Sequence, residues 1–284
     1  VARPREDIVV HEEHALAMTG GRELAAQRWV PNGRPRAALA LVHGFGEHTG
    51  RYTHVGEWLA RAGYALCAVD LPGHGRTKGK RGCTSREELL QVTDLLLADA
   101  KARFRGVPVF LYGHSLGAAI VLLHVMTRPP AAAGVIATSP LLRLAGKPPA
   151  AKVAAARVLA RLLPSFTMRN PLDMTALSSD PSVGEAASRD PLYHNTVSVR
   201  LGWEIMEWGQ WFEGQSGPFP LPLLLLLGTG DRIVDTAAVR QFAGRLTGDV
   251  TLREWDGLFH ELHNEPEKDQ VLAFLVSWLG RHGA

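Results

Sequence analysis

Apolar runs of strand length alternate along this chain with longer segments whose apolar residues recur at helical spacing. The run "AALALVHG" at 37–44 predicts a buried strand, and "HVGEWLARAGY" at 54–64 predicts the helix that follows it. "ALCAVDLPG" at 65–73 repeats the strand signal. "SREELLQVTDLLLADAKARF" at 85–104 opens with Ser85 and places Glu88 three positions on, a reciprocal capping pattern ahead of a leucine-rich helix. "PVFLYG" and "AGVIATSP" predict two more buried strands, "LPLLLLLGTGD" at 221–231 the most apolar strand of all, and "VTLREWDG" at 250–257 the last. "EKDQVLAFLVSWLGRH" closes the chain as an amphipathic helix. Strands buried on both faces and alternating with helices predict an α/β fold, a mostly parallel sheet with helices on both faces.

The rhythm breaks from about Leu141 to Phe219. No clear strand is visible there; an Ala- and Arg-rich helix, proline-bounded loops and the aromatic stretch "LGWEIMEWGQWF" take its place. An insertion of this length, on the side where open α/β sheets bind ligands, predicts a helical lid over residues 141–219, with 1–140 and 220–284 forming the core. The alternative is a set of extra helices that merely pack over the sheet.

With 284 residues, 46% of them hydrophobic and 21% charged, the chain can bury a sizeable core. A formal charge of +3 gives no nucleic-acid footprint. Cys67 and Cys83 lack metal-ligand spacing and read as reduced, structural thiols. The first residues lack the apolar centre of a signal peptide, and no stretch reaches the roughly 18 apolar residues of a membrane span. The expectation is a soluble, cytoplasmic protein.

The chemistry begins at "LYGHSLGAA", where Ser115 stands between Gly113 and Gly117 on a strand-to-helix junction. A nucleophile held on so sharp a turn needs strained backbone angles, and the residues two before and two after it must be small. A serine needs a base, and the base an orienting carboxylate, each just beyond a later strand and in the order serine, acid, histidine. Asp231 and His260 occupy those positions; Asp235 reads as a helix-start residue or support, and His263 is the rival base. An oxyanion hole requires two backbone N–H groups. The Leu116 amide follows the nucleophile, and the Phe45 amide lies in "HGFGEH" after the first predicted strand. His74, His114 and His124 read as structural.

With these residues in view, the chain resembles the monoacylglycerol lipase and lysophospholipase group of the α/β-hydrolase family, sometimes filed with serine aminopeptidases. "HGFGEHTGRY", "DLPGHGRT", "GHSLG", "GTGDRIVD" and "FHELHNE" appear in order over nearly the whole chain. The resemblance implies an α/β-hydrolase fold, the triad Ser115, Asp231 and His260, no cofactor or metal, and a glycerol headgroup held by Glu47, Arg51 and His263. Glu47 and Arg51 read equally well as a loop ion pair. The elbow departs from many relatives at Ala118, where they have a further glycine.

The lid stretch "RLAGKPPAAKVAAARVLARLL" carries Arg143, Lys147, Lys152, Arg157 and Arg161 with no acidic residue, interleaved with apolar side chains. Such a helix can lie on an anionic membrane surface, placing the protein at the membrane periphery, or can be a solvated face over an apolar acyl pocket. The expected activity is serine hydrolysis of carboxylic esters of lipids, foremost a monoacylglycerol. A lysophospholipase or broad carboxylesterase is the alternative in the same class, and a non-catalytic binding module of the same fold the alternative outside it. A basic lid favours a phosphate headgroup, whereas Glu47 repels one.

Overall fold

The structure is a computed structural model describing residues 9–128, 131–146, 150–170 and 172–283. Alternate residues of its central strands face opposite sides. In β3 (Ala38–Val42), Ala38, Ala40 and Val42 enter one apolar cluster, while Leu39 and Leu41 enter the other. In β7 (Leu223–Gly228), Leu223, Leu225 and Leu227 divide from Leu224 and Leu226 in the same way. A strand with apolar partners on both faces has no use for polar alternation, which is why these runs are continuous.

The main sheet has eight strands. β1 (Val10–Ala17) and β2 (Glu23–Val30) form an antiparallel pair at one edge, and β2 joins β4 (Ala65–Val69) antiparallel. From β4 the pairing is parallel through β3, β5 (Val109–His114), β6 (Gly134–Thr138), β7 and β8 (Val250–Trp255), giving the order β1-β2-β4-β3-β5-β6-β7-β8. Helices α1 (Thr53–Arg61) and α8 (Lys268–His282) cover one face. α2 (Arg86–Arg103), α3 (Leu116–Thr127) and α7 (Thr236–Arg245) cover the other. The capping box expected at Ser85 and Glu88 is formed, and Asp235 caps α7 through the amides of Ala237 and Ala238.

Between β6 and β7 the chain forms α4 (Ala150–Leu162), α5 (Pro181–Arg189) and α6 (Val199–Glu213). The strandless reading of this region needs correction: Thr167–Arg169 pairs antiparallel with Thr196–Ser198. Three residues per strand are too few to carry a periodicity. The sheet also starts earlier than the sequence pattern indicated. β2 hides because Gln27 and Arg28 interrupt its apolar run, and both bond to distant partners, Thr49 at 2.6 Å and Asp99 at 2.6 and 2.7 Å. Among the described residues no helix is long and apolar enough to cross a membrane.

α3 lies so close to β3 that a Cβ on Gly117 would stand 1.9 Å from the Val42 carbonyl oxygen. The backbone itself is in the way, so no side-chain rearrangement relieves the clash. Gly117→Ala is therefore expected to destabilise the protein by about 2 kcal/mol, measured as a lower urea midpoint; an unchanged midpoint would contradict this packing.

Candidate active site

Ser115 follows β5 directly and caps α3 with φ 52° and ψ −115°, a left-handed backbone that costs a non-glycine residue about 1–3 kcal/mol. The turn is held by its neighbours. The Ser115 amide donates to Thr138 at 2.9 Å, and its carbonyl accepts from Ala119 and Leu141 at 3.1 Å each. A Cβ on Gly113 would come within 2.5 Å of Ala118 Cα, so both flanking glycines are sterically required. The Ser115 side chain makes no capping bond to its own helix and faces a cavity instead.

Asp231 follows β7 in the turn that opens toward α7. Its Oδ1 accepts from the amides of Ile233 and Val234 at 2.8 and 3.0 Å, and its Oδ2 lies 2.7 Å from His260 Nδ1. A carboxylate only accepts, so Nδ1 carries the proton and Nε2 presents its lone pair. The loop bearing His260 is fixed from several sides. Ser139, itself at φ 44°, donates its hydroxyl to the His260 carbonyl at 2.7 Å. Glu265 accepts from the Phe259 amide at 2.6 Å and from Ser178 at 3.2 Å. Sequence reasoning missed Ser139 and Glu265; the available signals were a serine at the C-terminal end of β6 and a carboxylate inside "FHELHNE".

His263 does not compete for Asp231. It stacks on Tyr52, ring centroids 4.6 Å apart, and burial pushes its pKa down to about 3. Neither of its ring nitrogens has a partner among the described residues. Tyr52 donates its hydroxyl to Glu47 Oε1 at 2.8 Å, and the Gly44 amide donates to the same oxygen at 2.5 Å. Arg51 binds Glu261 through two bonds of 2.8 and 2.7 Å and stands 3.6 Å from Glu47 Oε2. Glu47 and Arg51 are thus an ion pair, but Arg51 is shared, and its tighter partner Glu261 had no assigned role in the sequence. Burial raises the Glu47 pKa to about 7 against the opposing charge of Arg51.

A cavity of about 180 Å³ brings these parts together. Ser115, His260, Glu47 and Glu261 are among its polar lining; Phe45, Leu172, Leu177, Val197, Ile205 and Met206 are among its apolar lining. Arg51 and His263 are set behind Glu47, off the cavity wall. Phe45 sits between two anchored residues, since Gly44 is held by Glu47 and the Gly46 carbonyl accepts from the His194 amide at 2.8 Å. Leu116 buries its side chain completely and opens α3, where helix amides have no intrahelical acceptor. No described side chain of α4 lines the cavity. Among the basic positions of this region, Arg143 is paired with Glu213 and Asp235, while Arg157 and Arg161 are exposed. Lys147 and the Lys152 side chain lie outside the described residues. No group of three His, Cys, Asp or Glu side chains among the described residues is placed to hold a metal ion.

The family model described as serine aminopeptidase, S33 matches residues 33–267. The chain belongs to that family of α/β-hydrolases. It is 32% identical over 273 residues to a monoacylglycerol lipase of Mycolicibacterium smegmatis, covering 95% of this chain and 97% of the relative. It is 34% identical over 267 residues to an abhydrolase domain-containing protein of Dictyostelium discoideum, of whose length it spans 28%. The crystal structure of a monoacylglycerol lipase of Paleococcus ferrophilus superposes with a TM-score of 0.83 at 36% identity, covering 92% of this chain and 99% of that one.

Burial penalises a charged His260, yet the charge and hydrogen bond of Asp231, with Glu261 and Glu47 further off, outweigh it and leave the pKa above the ordinary 6.5. A general base must be neutral to accept a proton. With His260 as the base we propose below, activity is lost as pH falls through this raised value. The ascending limb of the pH profile of kcat/KM is expected to have its midpoint above 6.5; a midpoint below it would show that burial dominates.

Proposed function

We propose that this α/β-hydrolase cleaves the ester of a single-chain lipid, a monoacylglycerol, through an acyl-enzyme on Ser115. The observation that carries the reading is one cavity lined by Ser115 and His260 together with the buried carboxylates of Glu47 and Glu261 and a largely apolar set of side chains. Ser115 Oγ attacks the ester carbonyl as His260 Nε2 takes its proton, and Asp231 stabilises the resulting imidazolium. The oxygen that gains charge is held by the Phe45 and Leu116 amides. The tetrahedral intermediate collapses, His260 gives the proton to the departing glycerol oxygen, and a water activated by the same histidine releases the fatty acid.

The headgroup end supports a neutral alcohol over a phosphate. Glu47 and Glu261 face the cavity there, whereas the exposed Arg157 and Arg161 are away from it. Glu47 is the residue placed to accept a glycerol hydroxyl, and Arg51 and the stacked Tyr52–His263 pair hold Glu47 in position.

The exposed arginines and their neighbours fit a different partner. Val158, Leu162, Leu163, Phe166 and Met168 are each 46% exposed or more, beside exposed Arg157, Arg161 and Arg169. An apolar patch rimmed by cations matches an anionic lipid surface, the source of a water-insoluble substrate.

Fatty-acid release from monooleoylglycerol should exceed that from lysophosphatidylcholine under matched conditions, and Ser115→Ala should lower it by roughly a thousandfold or more. Faster release from the phospholipid would reject the headgroup reading, and retained activity in Ser115→Ala would reject the nucleophile. In co-sedimentation with phosphatidylglycerol vesicles, the double variant Leu162→Asp, Phe166→Asp should lose most of the bound fraction; undiminished binding would remove this surface from the account.

A further inference from the structure

α6 carries two glycines seven residues apart, Gly202 and Gly209, and only one has a packing reason to be glycine. Glycine inside a helix gives up more backbone freedom on folding than any other residue, so an unneeded one is selected against. At Gly209 a Cβ would stand 2.6 Å from the Leu142 carbonyl oxygen, so the helix could not lie where it does. At Gly202 a Cβ would meet only Val197 Cγ2, at 3.9 Å, an ordinary contact. Among the described residues nothing stands close enough to require Gly202 to lack a side chain.

What lies beside Gly202 is the apolar cavity. Gly202 lines it together with Ile205 and Met206, which share its helix face at the i+3 and i+4 positions. Beyond Ile205 and Met206 a second hollow continues, sharing those two residues with Leu141 and Leu144 as a common wall. The bare Cα of Gly202 therefore opens the channel where an acyl tail from Ser115 would pass toward that wall.

We propose that Gly202 determines acyl-chain selectivity, its absent side chain supplying the room that a long tail occupies. The inference rests on the reading of the cavity as the acyl pocket of an ester hydrolase and assigns that pocket its length-setting position. A side chain at 202 would project into the path of the tail and not into the protein, so it shortens the pocket with the fold intact. A hydrophobic pocket discriminates between chains by about tenfold or more for each methylene it can or cannot hold.

The test is kcat/KM on butyryl-, octanoyl- and oleoylglycerol for the wild type, Gly202→Ala and Gly202→Phe, with thermal unfolding of each and of Gly209→Ala. Gly202→Phe should lower the oleoyl-to-butyryl ratio by about tenfold or more, with Gly202→Ala moving it less in the same direction. Gly202→Ala should raise Tm by about 2 °C, whereas Gly209→Ala should lower it. An active wild type whose chain-length ratio is unmoved by Gly202→Phe would overturn the inference alone, as would a fall in Tm for Gly202→Ala. A wild type inactive on every glyceride and on p-nitrophenyl butyrate would overturn the hydrolase reading and this inference with it.

Discussion

The close approach of α3 to β3 and β5 is the constraint on which the rest of the site depends. Two glycines allow helix backbone to contact strand backbone, and the junction between them forces Ser115 into a left-handed conformation. That strain would relax if the turn were free. It persists because the Ser115 amide and carbonyl are bonded to β6 and to the chain beyond it, so the serine cannot turn without breaking the pairing around it. Its hydroxyl is thereby presented at the C-terminal ends of the parallel strands, where the turn after β7 and the loop after β8 also arrive.

The second organising feature is a buried set of charges beside the serine. Arg51 has two carboxylates for company, and breaking a buried pair of this kind costs about 3–5 kcal/mol because the survivor is left unpaired. Glu261 takes both strong bonds from Arg51, while burial drives Glu47 toward neutrality, so the cluster need not carry an uncompensated negative charge. The same residues join distant parts of the chain. Arg51 comes from the loop before α1 and Glu261 from the loop of His260, and the Glu261 amide donates to Leu177 of the inserted region. The Glu47, Arg51 and Glu261 cluster and the loop carrying His260 are therefore one structure.

Most of the elements legible in the sequence were continuous apolar runs or helices closed by a strong cap, with the half-buried edge strand β8 readable from its own alternation. β3 to β8, α2 with its Ser85–Glu88 box and α7 behind Asp235 all announce themselves through short-range chemistry. β1 and β2 did not, because an edge strand exposes one side and because Gln27 and Arg28 bond to residues far along the chain. The basic stretch of the inserted region was legible as composition but not as placement. Arg143 turned out to be neutralised by Glu213 and Asp235, and Val158 and Leu162 of α4 are exposed.

The sequence by itself determined the setting of Ser115, the order of Asp231 and His260 and the loops that bear them, because each depends on residues next to one another in the chain. The tertiary structure alone decided which histidine meets Asp231, which carboxylate Arg51 prefers and which residues wall the cavity. His260 and His263 are three positions apart and chemically equivalent, yet one touches Asp231 and the other stacks on Tyr52. Gly202 and Gly209 are likewise indistinguishable as letters; the Leu142 carbonyl behind one and the open cavity beside the other separate them. Such choices are made by what lies within a few ångströms in space, and that neighbourhood is assembled from segments as far apart as Arg51 and Glu261, which are 210 positions apart.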